Sequence, residues 1–160
     1  MKRAYTYLLM ALVLSVACST KNDSAMSKDK KEVALVIEKR YKALNQMFTG
    51  DISLIKEIWS HADDVTYMGP GGGIRIGWNE VLKDWESQAA LKLGGSVSPS
   101  NIHYTLGKDM AVVVNDEVGK NIDDEGKLET VHIRATHVLR KENGQWKIIA
   151  EQTDKLSFVK

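Results

Sequence analysis

Residues 61–73 read HADDVTYMGPGGG. The run from Asp64 to Met68 is β-branched and aromatic, which predicts a strand, and a proline set among four glycines has to turn the chain. Ile74-Arg75-Ile76-Gly77-Trp78 restarts an extended segment, so the stretch reads as strand, corner and short strand. The glycines let the chain bend and Pro70 fixes its direction. A phosphate loop would need its glycines followed by Lys-Ser/Thr and a helix, and Ile74-Arg75-Ile76 follows instead. A zinc site would need three or four converging ligands, yet His132 and His137 lie five apart on a predicted strand and so face opposite sides. Neither a metal nor a cofactor is expected, and no G-x-S-x-G elbow occurs. For Asp63 and Asp64 two roles stay open: acid–base work, or carboxylates bonded to local backbone N–H groups where a helix ends. His61 faces the same choice between turn residue and catalyst.

Upstream, Val33, Val36, Ile37, Tyr41, Leu44, Met47 and Phe48 recur at helical spacing and predict one long amphipathic helix ending near Thr49-Gly50-Asp51. Gly50 supplies the stop, and Asp51 can cap a second helix, ISLIKEIW, that turns Leu54, Ile55, Ile58 and Trp59 inward. Downstream, a third helix from Trp78 to about Leu91 carries Val81, Leu82, Trp85 and Ala89 on one side. Turn signals at Gly107 (GKD), Asp123 (DDEG) and Glu142 (ENG) then separate extended runs of similar length, the pattern of an antiparallel meander. The order predicts an α+β domain, with three N-terminal helices packed on one face of a curved, mostly antiparallel sheet.

The chain opens MKRAYTYLLMALVLSVAC, two cations before an apolar run from Leu8 to Val16 with small residues at its end. That is the grammar of an export signal over residues 1–17, too short for an ordinary membrane span. Cleavage after Ala17 would leave Cys18, the chain's one cysteine, at the new N-terminus, and LSVAC resembles a bacterial lipobox with Ser15 where leucine is usual. A lone thiol in an exported chain has no internal disulfide partner, so lipid attachment at Cys18 accounts for it. Ser19 then favours the outer membrane, facing the periplasm, with a soluble periplasmic or secreted form as the alternative. Residues 18–29 read as a polar tether and residues 30–160 as one domain with its own core. With 22 Lys and Arg against 21 Asp and Glu, loss of Lys2 and Arg3 leaves a net charge of −1, which points away from nucleic acid.

The succession of helix, Gly-Asp, helix, WSHADDVTYMGPGGG with a following Gly-Trp, a tryptophan-bearing helix and a meander closing IRATHVLRKENGQWKIIAEQTD resembles the SnoaL-like branch of the NTF2-like (cystatin-like) superfamily. The resemblance implies a cone with a pocket between helices and sheet, and a homodimer formed through the sheet. It leaves the chemistry open, because the fold hosts enzymes, binding modules and assembly domains. In ketosteroid isomerase a similar strand places its general-base aspartate just before the corner proline, a position held here by Gly69. Tyr41 lies two residues out of register with that enzyme's hydroxyl donor. Relatives that end with His-x-His in the last strand have Ala150 and Gln152 as their counterparts here.

Alternation divides the penultimate strand into His132, Arg134 and Thr136 on one side and Val131, Ile133, Ala135 and Leu139 on the other. Plain reading leaves the first set in solvent. The resemblance reverses it, turning Arg134 into the cone and the apolar row toward a second subunit. Continued into the last strand, the same alternation groups Trp146, Ile148, Ala150, Gln152 and Asp154. The expected small-molecule site is then Tyr67, Trp78, Trp85, Arg134, Thr136 and Gln152, with Asp154 or Asp64 as base and Arg134 receiving a carboxylate ligand or a developing anion. The leading reading is a ligand-binding domain; an isomerase, lyase or hydrolase, and an interaction module with a vestigial pocket, are the alternatives.

Overall fold

The computed structural model describes residues 28–123 and 125–155. The signal, Cys18 and most of the tether lie outside the described residues. Helix α1 (28–47) is already formed at Lys28, so the last two residues assigned to the tether belong to it. Val33, Ile37, Tyr41, Leu44 and Met47 form its buried face. Gly50, at φ 102°, ends the helix, and its N–H bonds the Met47 carbonyl at 2.8 Å. The Asp51 carboxylate accepts the Ser53 N–H at 2.8 Å at the start of α2 (Ser53–Ile58).

Strands β1 (Thr66–Met68) and β2 (Arg75–Ile76) form the hairpin around the glycine corner, and α3 (Trp78–Ala90) follows. The hairpin parts α3 from the two earlier helices, as the sequence order predicts, but the three are not all N-terminal: the structure has one long N-terminal helix, a short helix and a post-hairpin helix. The meander runs through β3 (Ser96–Leu106), β4 (Met110–Ile122), β5 (Leu128–Glu142) and β6 (Gln145–Lys155), turning at the three predicted places. All six strands form one sheet in the order β2-β1-β6-β5-β4-β3, antiparallel except that β1 runs parallel to β6. Among the described residues no helix is long and apolar enough to cross a membrane.

The helices cover one face of the sheet, and that requirement decides which side of β5 is inner. Ile133, Ala135 and Leu139 are buried there, together with His137. The plain alternation holds, and the inversion drawn from the resemblance is corrected: an apolar row next to helices is buried within the chain and needs no second subunit to cover it. Strand β6 departs from simple alternation. Leu139 pairs Ile148 and Val138 pairs Ala150, so Ile149 is the extra residue of a β-bulge. The inner row of β6 shifts phase across it, from Trp146 and Ile148 to Glu151 and Thr153, and Gln152 and Asp154 fall on the outer face.

Candidate functional site

Arg40 sits three residues after Ile37 and four before Leu44, on the apolar face of α1, and is buried. It crosses the cone to Glu151 on β6, donating from Nε to Oε2 at 2.7 Å and from Nη2 to Oε1. Glu117 on β4 lies 3.7 Å from the same guanidinium. Glu151 Oε2 also meets His137 Nδ1 at 3.2 Å. On the other side of that ring, His137 Nε2 lies 3.5 Å from the Tyr41 hydroxyl, which is 3.2 Å from Glu117 Oε1 and accepts from Asn115 Nδ2 at 2.6 Å. Six buried polar side chains from one helix and three strands thus form one connected group.

Burial pushes the Glu151 carboxyl up, but the charge and hydrogen bonds of Arg40, with that of His137, outweigh it and hold the group at about 2. Glu117 goes the other way: burial raises its carboxyl, and the more distant Arg40 offsets this only in part. Burial also pushes both the Tyr41 and the Tyr67 phenols up, so each stays protonated and able to donate.

Two members of this group, Arg40 and Glu117, line a cavity of about 100 Å³ whose other lining includes Leu44, Phe48, Val97, Val131 and Ile133. Pro70, Leu93, Asn121, Val131 and Ile133 also line a wider mouth of about 610 Å³, through which the cone opens. Two buried polar atoms on cavity-lining residues, Arg40 Nη1 and Thr153 Oγ1, find no partner among the described residues. Tyr67 is the third polar feature. Its hydroxyl accepts from Gln88 Nε2 at 3.1 Å, which leaves its own proton to offer. A Cβ at Gly69 would come within 2.6 Å of that hydroxyl, so the phenol fills the space into which the resemblance would direct a base.

Of the predicted site residues, Tyr67 lines the cavity. Trp85 packs behind it with ring centroids 4.6 Å apart, fully buried as core. Trp78 lies elsewhere, stacked on His61 at 4.2 Å. Arg134, Thr136, Gln152 and Asp154 do come together, beside Asn101 and His103, but in an open depression of about 450 Å³ on the outer face. Arg134 pairs with Asp154 there at 2.7 Å, their side chains 57% and 43% exposed, which corrects the inward placement of both. Asp64 is also at the surface, 62% exposed, with its carboxyl lowered by hydrogen bonds from Arg140. That is the wrong direction for a base working near neutrality. Sequence reasoning missed Arg40, Glu117, His137 and Glu151. The available signal was a charge or imidazole standing inside an apolar row: Arg40 in the helical repeat, and His137 between Ala135 and Leu139. Among the described residues no group of three or more His, Cys, Asp or Glu could hold a metal ion.

The sequence pattern of the SnoaL-like domain matches residues 33–153, most of the chain. The chain belongs to the SnoaL-like family. Solved structures share the NTF2-like fold with this SnoaL-like domain. An NTF2-like superfamily protein from Salmonella enterica serovar Typhimurium aligns with a TM-score of 0.73 at 15% identity, over 84% of this chain and 99% of that one. A provisionally assigned dehydratase of the NTF2-like family from Streptomyces avermitilis aligns at 0.72 and 23% identity, over 82% and 98%. A provisionally assigned calcium/calmodulin-dependent protein kinase II association domain from Xanthomonas campestris aligns at 0.66 and 19%, over 80% and 88%. At these identities the likeness is one of fold, and the three descriptions span an enzyme and an assembly domain. Among curated proteins no match was found.

Proposed function

We propose that the cone binds a small neutral organic molecule carrying a hydrogen-bond acceptor such as a carbonyl oxygen. The observation that supports this reading is the pair of unpartnered buried atoms, Arg40 Nη1 and Thr153 Oγ1, on residues lining a mostly apolar cavity. Unmade hydrogen bonds of this kind cost about 1–3 kcal/mol each, which an acceptor on a ligand would recover. Charge selects the class. Arg40 is the one cation lining the cavity among the described residues, and Glu151 already answers its charge. An entering carboxylate would meet Glu117 with no free counter-charge, so the carboxylate ligand expected at Arg134 gives way to a neutral one. Cyclohexanone should raise the melting temperature of the full chain more than cyclohexanecarboxylate at pH 7, and Ile133→Trp, which fills the cavity, should remove the effect. A larger rise with the carboxylate, no rise with either, or an equal rise in Ile133→Trp would refute the proposal.

One observation supports a second reading. A carboxyl raised by burial and lining the cavity, Glu117, suits proton transfer to and from the ligand, so an acid–base enzyme of isomerase or lyase type would use Glu117 where Asp64 and Asp154 were expected.

Export and lipid attachment at Cys18 remain our proposal from the sequence pattern; Cys18→Ser should move the chain from the membrane to the soluble fraction, and an unchanged distribution would remove the anchor. A homodimer through the sheet is likewise a proposal, now resting on Met110, Val112 and Val114, which stand exposed on the outer face of β4. Light scattering should give twice the monomer mass for the wild type and the monomer mass for Val114→Lys; a monomeric wild type ends the idea.

A further inference from the structure

The hydrogen-bond valences of the buried group fix how many protons it can hold. Glu151 is a carboxylate bound by Arg40, so it can only accept, and His137 must present an N–H at Nδ1. His137 Nε2, 3.5 Å from the Tyr41 oxygen, and Glu117 Oε1, 3.2 Å from it, then compete for one hydroxyl proton, while Asn115 already donates to that oxygen. If His137 is neutral and Glu117 ionised, the tyrosine proton serves one of them and leaves the other a buried acceptor without a hydrogen bond, Glu117 then having only the Arg40 guanidinium at 3.7 Å. If both are protonated, three donors crowd the Tyr41 oxygen and its own proton has nowhere to go. Two arrangements satisfy every group. In one, Glu117 is a carboxylic acid donating to Tyr41, which donates to Nε2. In the other, His137 is an imidazolium donating from Nε2 to Tyr41, which donates to a Glu117 carboxylate. The two hold the same number of protons and the same charge.

We propose that Glu117 and His137 share one proton through the Tyr41 hydroxyl, which lets the cone present the same side chain to its ligand either as acid or as base. Interconversion breaks the Glu117 O–H and Tyr41 O–H bonds and makes one O–H bond at Tyr41 and one N–H bond at His137 Nε2. No proton enters or leaves. Tyr41 and His137 act through Glu117 and touch no ligand themselves. The remaining charged and titratable neighbours are Arg40 on α1, Glu151 on β6 and Tyr67 on β1: the guanidinium 3.7 Å from Glu117 and the carboxylate 3.2 Å from His137 favour the charged arrangement, while burial of both groups favours the neutral one. The raised Glu117 carboxyl is consistent with a proton resident there for part of the time. The use of the relay rests on the acid–base reading of the cone, whereas its existence does not.

Nuclear magnetic resonance on the uniformly 13C,15N-labelled full chain at one neutral pH tests it. Glu117→Gln keeps the shape but cannot exchange a proton, so the 15N shift of His137 Nε2 should move to that of a purely unprotonated nitrogen. The same substitution should leave His137 unmoved when Tyr41 is already phenylalanine. An identical His137 shift in wild type and Glu117→Gln overturns the relay, as does a change that persists undiminished in the Tyr41→Phe background. Should Tyr41→Phe not fold, the reciprocal experiment decides: His137→Asn must move the 13C shift of the Glu117 carboxyl toward that of a full acid or a full carboxylate, and no movement overturns the relay. Failure here leaves ligand binding intact, while failure of the cyclohexanone experiment leaves the shared proton intact.

Discussion

Strand β6 carries two arginine–carboxylate pairs, three residues apart, on opposite faces of the sheet. Arg40 holds Glu151 inside, both side chains all but fully buried; Arg134 holds Asp154 outside, both largely in water. Each arginine makes two hydrogen bonds to its carboxylate, so the contact chemistry is the same. The difference is the medium. Inside, neither charge can be released to water if its partner is lost, and the carboxylate also anchors His137. Outside, solvent and salt screen the pair and replace either member. Hydrogen-bond geometry alone is therefore a poor guide to which pair matters.

The largest effect should come from breaking the inner pair. Glu151→Ala strands the buried Arg40 and should cost about 3–5 kcal/mol, read as a lowered urea midpoint; a loss no greater than that of a surface substitution would contradict the buried geometry. The same pair sets an acid limit. A carboxyl held below its unfolded value adds stability above that value and loses it as pH falls, so the contribution of Glu151 should be complete above its ordinary range near 4.5 and drain away toward about 2. Urea midpoints followed down that range should fall in the wild type and fall less in Glu151→Gln.

A smaller effect of opposite sign should follow at Glu117. Its carboxyl is raised by burial, so ionisation opposes folding, and stability lost to it grows as pH rises above the ordinary carboxyl range. Glu117→Gln should therefore melt higher than wild type at pH 7, with the gain shrinking as the pH is lowered. A lower melting temperature at pH 7 would show that Glu117 is fully ionised and well paired. Residues kept at a cost in stability are those expected of a working site.

The smallest effect belongs to the outer pair. In the monomeric Val114→Lys background, where the outer face is free, Arg134→Ala and Asp154→Ala should each leave the urea midpoint unchanged within error, and neither should alter the response to cyclohexanone. A marked loss in that background would contradict the exposed geometry of the pair, whereas a loss seen only with Val114 intact would place the pair under the proposed dimer.

The sequence by itself determined much of the architecture. The spacing of Val33, Ile37, Leu44 and Met47 specifies α1, the glycines around Pro70 specify the corner, and three turn signals space the meander, because each is a local backbone preference written in adjacent residues. Alternation also separated the two faces of β5 correctly. What it could not carry was the phase of β6. A single extra residue at Ile149 reverses every side chain beyond it, and nothing local in Ile148-Ile149-Ala150 marks the bulge; pairing with β5 across the turn does. The site was hidden for a related reason. Arg40, Glu117, His137 and Glu151 lie up to 111 residues apart, and each taken alone would be assigned to the surface or left unassigned. Only the closure of the helix over the curved sheet brings them within hydrogen-bonding distance and removes the water that would otherwise separate them. Tertiary structure thus decided which charges are buried together, and with that where proton chemistry can take place.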